Sequence, residues 1–116
     1  MHRQIPIDQI VKVLKGLVIY RGDYDHVNGI VASGLMSDVL VSEDEGILLV
    51  SNLSTSQVVR TADMVGAHAI LISNGKTISE DMVELAKELS ITLIRTDLSM
   101  FDTCYSLGKI FYEGQK

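Results

Sequence analysis

Hydroxyl and amide side chains directly follow three short apolar runs of the sequence. The runs begin at Ile47, Ala69 and Ile91, so their starts lie 22 residues apart. If the runs are parallel strands of one open sheet, their carboxyl ends meet at one edge, where such sheets bind ligands. Helix N-termini point free N–H groups at the same edge and attract small anions or nucleotide phosphates. The predicted ligand-binding residues at this edge are Ser51, Asn52, Ser54, Ser73, Asn74, Thr96 and Ser99.

The same residue types also cap helices and form turns, which is the alternative interpretation of these positions. The sequence contains neither Gly-x-Gly-x-x-Gly nor Gly-x-x-x-x-Gly-Lys-Ser/Thr, the two glycine patterns that hold phosphates. A bound nucleotide would therefore use a different arrangement. No catalytic residue and no cofactor are predicted.

Histidine and cysteine are too sparse and too widely spaced in the sequence to form a metal site. His2, His26 and His68 lack the spacing of zinc ligands, and Cys104 is the single cysteine. We therefore predict no bound metal. His26 follows Asp25 in a polar segment, where an acid–base pair and a solvated turn are the two alternatives. Cys104 is interpreted as a small apolar residue of the last helix rather than as a nucleophile.

Apolar runs without alternation are typical of strands buried on both faces, and each of the three runs is followed by a helical pattern. The other predicted elements are strands at 17–20 and 27–33 and helices at 8–16, 37–41, 55–65, 79–89 and from 99 onward. Strands that alternate with helices form parallel sheets through right-handed crossovers. The predicted fold class is α/β, a three-layer α/β/α arrangement with a mainly parallel central sheet built from βα units. With 116 residues, the chain is predicted to form one domain, 1–116.

The charge and hydropathy of the chain argue against several classes of partner. Ten basic residues against fifteen acidic ones give a net charge of -5, and no basic cluster is available to neutralise the phosphates of nucleic acid or membrane. No apolar stretch reaches the roughly 18 residues of a membrane span. The single cysteine agrees with a reducing compartment. We therefore expect a cytoplasmic protein that binds neither nucleic acid nor membrane.

The predicted last helix carries apolar or aromatic residues over more than half of its circumference. One face of this helix packs on the sheet, and the remaining apolar area is either buried within the subunit or covered by a second copy. Cys104, Leu107 and Ile110 are expected to face the sheet. The predicted homodimer interface consists of Phe101, Tyr105, Phe111 and Tyr112.

Several segments, in their order along the chain, resemble a stand-alone DRTGG domain. They are residues 34–40, the strand ending at Ser51, residues 67–75 and residues 94–103. That family is similar to the N-terminal domain of HPr kinase/phosphorylase, and it also occurs fused to phosphotransacetylases and to pyrophosphatases that carry CBS domains. The resemblance covers nearly the whole chain and implies a regulatory rather than a catalytic role.

The name-giving segment of the family differs in this chain. Where the family has Asp-Arg followed by a Thr-Gly segment, residues 24–30 read Tyr-Asp-His-Val-Asn-Gly-Ile, so the arginine is absent. Val27 and Gly29 match the family, and Asn28 stands in place of threonine. The resemblance adds Asn28 and Gly29 to the predicted ligand-binding residues.

Three classes of function remain open from the sequence. The favoured one is a non-catalytic regulatory or ligand-sensing domain, homodimeric, that binds a small metabolite, a nucleotide or a partner protein. The alternatives are a phosphate-transfer component related to kinases and a purely structural dimerisation module. The kinase activity of the resembling enzymes resides in a separate P-loop domain, and the P-loop pattern is absent from this sequence. We therefore expect no ATP hydrolysis.

Overall fold

The protein is represented by a computed structural model, which describes residues 4–41 and 44–113. Twelve elements follow one another along the chain, and most alternate between strand and helix. They are β1 (Ile5–Pro6), α1 (Ile7–Val13), β2 (Leu17–Tyr20), β3 (His26–Val27), β4 (Gly29–Ala32), α2 (Met36–Val39), β5 (Ile47–Ser51), α3 (Ser56–Met64), β6 (Ala69–Ile72), α4 (Glu80–Leu89), β7 (Thr92–Arg95) and α5 (Met100–Glu113).

Five of the strands form the central sheet in the order β2-β7-β6-β5-β4. Strands β4, β5, β6 and β7 run parallel to one another, so the prediction of adjacent parallel strands at the three apolar runs is confirmed. Strand β2 pairs antiparallel with β7 at one border of the sheet. A separate pair of two-residue strands, β1 and β3, is also antiparallel. The α/β fold class with a mainly parallel sheet is therefore confirmed.

Side chains that alternate along the central strands divide the core between two helical layers. Ile47 and Leu49 of β5 pack in the cluster that contains buried residues of α2, α3 and α4. Leu48 and Val50 pack in the other cluster, with Ile10 of α1 and Leu107 of α5. The strand residues of both clusters are completely buried, because a strand covered on both faces has no solvent side. The sheet is thus the middle layer of three.

Local signals set the ends of several helices. The sequence offers Thr77 or Ser79 as the cap of α4, and the Ser79 hydroxyl accepts a hydrogen bond from the Met82 N–H there. Gly66 follows α3 with a φ of +71°, a conformation that glycine adopts without strain. The sequence pattern predicts Ser37 as the cap of a short helix, but α2 begins at Met36, so Ser37 lies inside the helix. No helix within the described ranges is both long enough and apolar enough to cross a membrane.

Candidate functional site

The carboxyl-terminal edge of the parallel strands gathers most of the predicted ligand-binding residues. Ser51 ends β5, Ser73 follows β6, and Thr96 follows β7. The backbone links these strand ends, because Ser73 N–H donates to Ser51 O at 3.0 Å and Thr96 N–H donates to Ile72 O at 2.9 Å. The sequence prediction that the three strand ends lie together therefore agrees with the parallel register.

Two buried hydroxyl groups among the predicted residues are occupied by hydrogen bonds within the chain. The Ser51 hydroxyl is buried and accepts from the Leu53 N–H at 3.2 Å. The Thr96 hydroxyl donates to Leu14 O at 2.8 Å and accepts from the Leu98 N–H at 3.3 Å. Thr96 therefore joins the end of α1 to the edge of the sheet. The geometry assigns both side chains to the scaffold beneath the edge rather than to its surface.

Four other predicted residues are accessible at this edge. Asn52 and Ser54 are half-buried, whereas Asn74 and Ser99 are exposed. Asn74 adopts a φ of +66°, and its N–H donates to Leu98 O at 2.7 Å, which closes the turn after β6 against the segment before α5. The Ser99 hydroxyl accepts from the Asp102 N–H at 3.0 Å and caps α5, as the sequence predicts.

Three buried polar atoms at the same edge have no hydrogen-bond partner in the described part of the chain. They are Ser73 Oγ, Arg95 Nε and Thr103 Oγ1. Ser73 and Thr103 are completely buried, and Thr103 lies in the first turns of α5. Buried polar atoms are almost always paired in native proteins, so each of these three unpaired atoms calls for an explanation.

Arg95 is the one cation at the end of the three apolar runs, and the sequence analysis did not include it in the site. Its guanidinium Nη2 donates to Gly75 O at 3.0 Å and lies 3.5 Å from Asp97 Oδ1. The side chain therefore reaches across the turn that follows β6. A charged residue within an otherwise apolar strand was the available sequence signal for this role. Thr103 gave no such signal, because it lies inside a helical pattern.

Asn28 and Gly29 lie at the opposite edge of the sheet. Gly29 pairs with Ile47, the first residue of β5, so both residues belong to the amino-terminal ends of the parallel strands. Asn28 N–H donates to Gly46 O at 2.8 Å, in the turn before β5. The prediction that Asn28 and Gly29 lie beside the polar strand ends is therefore wrong. The length of the parallel strands separates these two residues from the carboxyl-terminal edge.

An aromatic cluster lies beside Asn28 at this amino-terminal edge. The rings of Tyr24 and His68 stack with centroids 3.6 Å apart and planes 5° from parallel. His26 meets His68 edge to face at 5.1 Å. His68 Nδ1 donates to His26 O at 2.8 Å, which leaves Nε2 as the acceptor of the neutral ring. The sequence pattern does not reveal this cluster, because His68 is 42 residues from His26.

The contacts of the cluster include one carboxylate. His26 Nδ1 lies 3.1 Å from Asp25 Oδ1 in an exposed pair. In residues 4–41 and 44–113, no three histidine, cysteine or acidic side chains are grouped so that they could hold a metal ion. The contact between His26 and Asp25 does not place a base next to a nucleophilic side chain.

Cys104 lies on α5, directly after Thr103. Its thiol is 3.8 Å from Met100 Sδ, and burial raises its pKa above the ordinary value for cysteine. A raised pKa leaves less of the reactive thiolate at neutral pH. The environment of Cys104 is therefore that of a structural residue.

The last helix buries one side and exposes aromatic residues on another. Leu107 and Phe111 are buried in the core cluster that includes α1. Phe111 was predicted as an interface residue, and that assignment is corrected because its ring already packs inside the subunit. Phe101, Tyr105 and Tyr112 are strongly exposed.

Comparison with known proteins identifies a similar fold. No protein-family model matches the chain, and no curated protein matches it. Among solved structures, the fold is similar to a crystal structure of the CBS and DRTGG domains of the regulatory region of Clostridium perfringens pyrophosphatase, complexed with its activator, diadenosine tetraphosphate. The TM-score is 0.76 at 18% sequence identity, over 88% of this chain and 45% of that chain. The chain thus spans less than half of the length of that structure, and the likeness establishes the fold.

Proposed function

We propose that the chain is a non-catalytic regulatory domain of the DRTGG type, which senses a nucleotide or a similar small anionic metabolite and acts as a homodimer. Two observations support the DRTGG assignment. The order of sequence segments resembles that family, and the fold is similar to a regulatory region that contains a DRTGG domain. The activator of that regulatory region is a dinucleotide, which supports a nucleotide as the class of ligand.

The observation that carries the proposal is the group of unpaired polar atoms at the carboxyl-terminal edge. A buried polar group without a partner destabilises a protein by about 1–3 kcal/mol. Ser73 and Thr103 offer hydroxyl groups there, and Arg95 offers a guanidinium nitrogen. A ligand that supplies acceptors to these groups removes part of that penalty when it binds.

Two sources of positive charge lie at the same edge, next to the carboxylate of Asp97. The Arg95 guanidinium lies beside the Asn74–Gly75 turn, and the N-terminus of α5 begins just beyond Ser99. The partial positive charge of a helix N-terminus attracts phosphates. Asn74 and Ser99 are exposed, so they form the accessible rim of the proposed site. Asn52 and Ser54 extend the rim towards β5.

The test combines a ligand-induced thermal shift with the Ser73→Ala variant. ATP and diadenosine tetraphosphate are the probes, because a ligand at 100 times its dissociation constant adds about 2.7 kcal/mol to the free energy of unfolding. Without nucleotide, Ser73→Ala should unfold at the same or a higher temperature, since it removes an unpaired buried hydroxyl. With nucleotide, the variant should gain less stability than the wild type.

Ser51→Ala is the matched control, because Ser51 ends the neighbouring strand and its hydroxyl is bonded to the Leu53 N–H. This variant should lose about 1 kcal/mol of stability but keep the full nucleotide-induced shift. Absence of any shift in the wild type would overturn the nucleotide proposal. A shift that survives Ser73→Ala but disappears in Tyr24→Ala would move the site to the amino-terminal edge.

A further inference from the structure

The exposed face of α5 carries an aromatic stripe interrupted by one glycine. Phe101, Tyr105 and Tyr112 are 79%, 62% and 73% exposed, although aromatic rings are usually buried. At ~100° per residue, these three positions and Gly108 fall within an arc of about 60° on the helix. The stripe therefore forms one continuous face of α5, pointing away from the core residues Leu107 and Phe111 described above.

We propose that this stripe packs against the α5 stripe of a second copy in an antiparallel arrangement, with the two-fold axis between Ser106 and Leu107. The proposal rests on the homodimer of the proposed function and specifies its geometry. About such an axis, Tyr105 packs onto the partner's Gly108, and Phe101 packs against the partner's Tyr112. Each contact occurs twice, as a self-complementary two-fold interface requires.

Gly108 supports this geometry because nothing in its own subunit requires a glycine there. A Cβ atom added at Gly108 would meet a single described neighbour within 4 Å, the Tyr112 ring at 3.9 Å. Its φ is not in the left-handed region. A glycine inside a helix costs roughly 0.5–1 kcal/mol relative to alanine. The notch that it leaves on the stripe fits the ring of the partner's Tyr105.

Charges beside the stripe favour the same arrangement. Asp102 and Lys109 are both exposed. Measured around the helix axis, they lie ~100° and ~80° from Phe101, so both lie on one flank of the stripe. The proposed two-fold axis runs perpendicular to the two α5 helices, so the flank with Asp102 and Lys109 lies on the same side of the pair in both copies. Asp102 then lies within about 3 Å, along the helix axis, of the partner's Lys109. Two symmetric ion pairs therefore border the aromatic contacts. Within the subunit, the Lys109 Nζ lies 5.5 Å from the centroid of the Tyr105 ring.

The test measures the mass and the dissociation constant of the dimer by sedimentation equilibrium. The wild type should sediment at about twice the subunit mass of 12.7 kDa. Asp102→Lys and Lys109→Asp should each raise the dissociation constant about tenfold, which corresponds to ~1.4 kcal/mol. The double variant Asp102→Lys/Lys109→Asp should restore the wild-type value, because it exchanges the two charges of each pair.

Gly108→Ala separates the interface from the stability of the subunit. A methyl group fits within the subunit and favours the helix, so the dilute monomer should unfold at a higher temperature than the wild type. The same methyl group occupies the notch, so the dissociation constant should rise. Gly108→Leu should raise it further.

The outcomes separate the geometry from the homodimer itself. If the wild-type protein keeps a mass of 12.7 kDa as its concentration is raised, both the homodimer and the proposed α5 geometry are overturned. A dimer that tolerates the charge reversals and Gly108→Leu would retain the homodimer but overturn the α5 geometry. In a third outcome, Asp102→Lys and Lys109→Asp each weaken the dimer, but the double variant does not restore it. This result would place α5 at the interface in another register.

Discussion

Thr96 illustrates how a residue type that suggests ligand binding can serve the scaffold. Its hydroxyl donates to Leu14 O and accepts from the Leu98 N–H, and the side chain is almost completely buried. Sequence alone cannot distinguish this use from ligand binding, because both require a hydroxyl at a strand end. The partner Leu14 is 82 residues away in the chain. Ser73 has the same position on the neighbouring strand but no partner among the described residues.

Thr96→Val keeps the shape of the side chain but removes the hydroxyl. We expect a loss of about 1–3 kcal/mol in the free energy of unfolding, because the buried Leu14 carbonyl loses a hydrogen bond. Urea denaturation measures this difference. Thr55→Val is the control, since Thr55 is exposed and makes no capping hydrogen bond, and it should change stability by less than about 0.5 kcal/mol. Equal effects of the two substitutions would contradict the structural role of Thr96.

At the scale of elements, the apolar runs predicted the buried strands because a central parallel strand excludes polar residues from both faces. Strand β2 was also located, yet its antiparallel pairing with β7 was not predicted. Its residues are only partly buried or exposed, so their pattern does not determine the direction of the strand. The two-residue strands β1 and β3 are too short to leave a pattern.

Gly22 fixes β2 and its following turn against the end of α4. Its N–H donates to the Thr92 hydroxyl at 2.9 Å, and an added Cβ would collide with the backbone oxygen of Ser90. We therefore expect Gly22→Ala to lower the free energy of unfolding by about 1–3 kcal/mol, since backbone atoms must move to accept the methyl group. Thermal and urea unfolding both report this loss.

Gly29→Ala is the matched comparison, in β4 at the opposite border of the sheet. The nearest described atom to an added Cβ is the Ile47 Cγ2, at 4.0 Å, and an alanine is better suited to a strand than a glycine. The stability of this variant should equal or exceed that of the wild type. If Gly29→Ala proved as damaging as Gly22→Ala, the close approach at Ser90 would not be the cause.

At the scale of the whole molecule, the sheet separates two groups of polar and aromatic residues. The carboxyl-terminal edge was predicted because parallel strand ends follow from the order of the elements. The position of Asn28 and Gly29 was mistaken because these residues begin β4, and the sequence pattern did not determine that β4 runs parallel to β5. The cluster of Tyr24, His26 and His68 arises only when distant turns meet in the fold.

The most direct test of the regulatory proposal is an amide NMR titration of the wild-type protein with diadenosine tetraphosphate. The measured quantity is the chemical-shift change at each backbone amide as the nucleotide approaches saturation. We expect the largest changes at Asn74, Gly75, Arg95 and Ser99, around the unpaired hydroxyls of Ser73 and Thr103. Saturable changes confined to Tyr24, Asn28 and His68, or no saturable change at all, would contradict ligand sensing at the carboxyl-terminal edge.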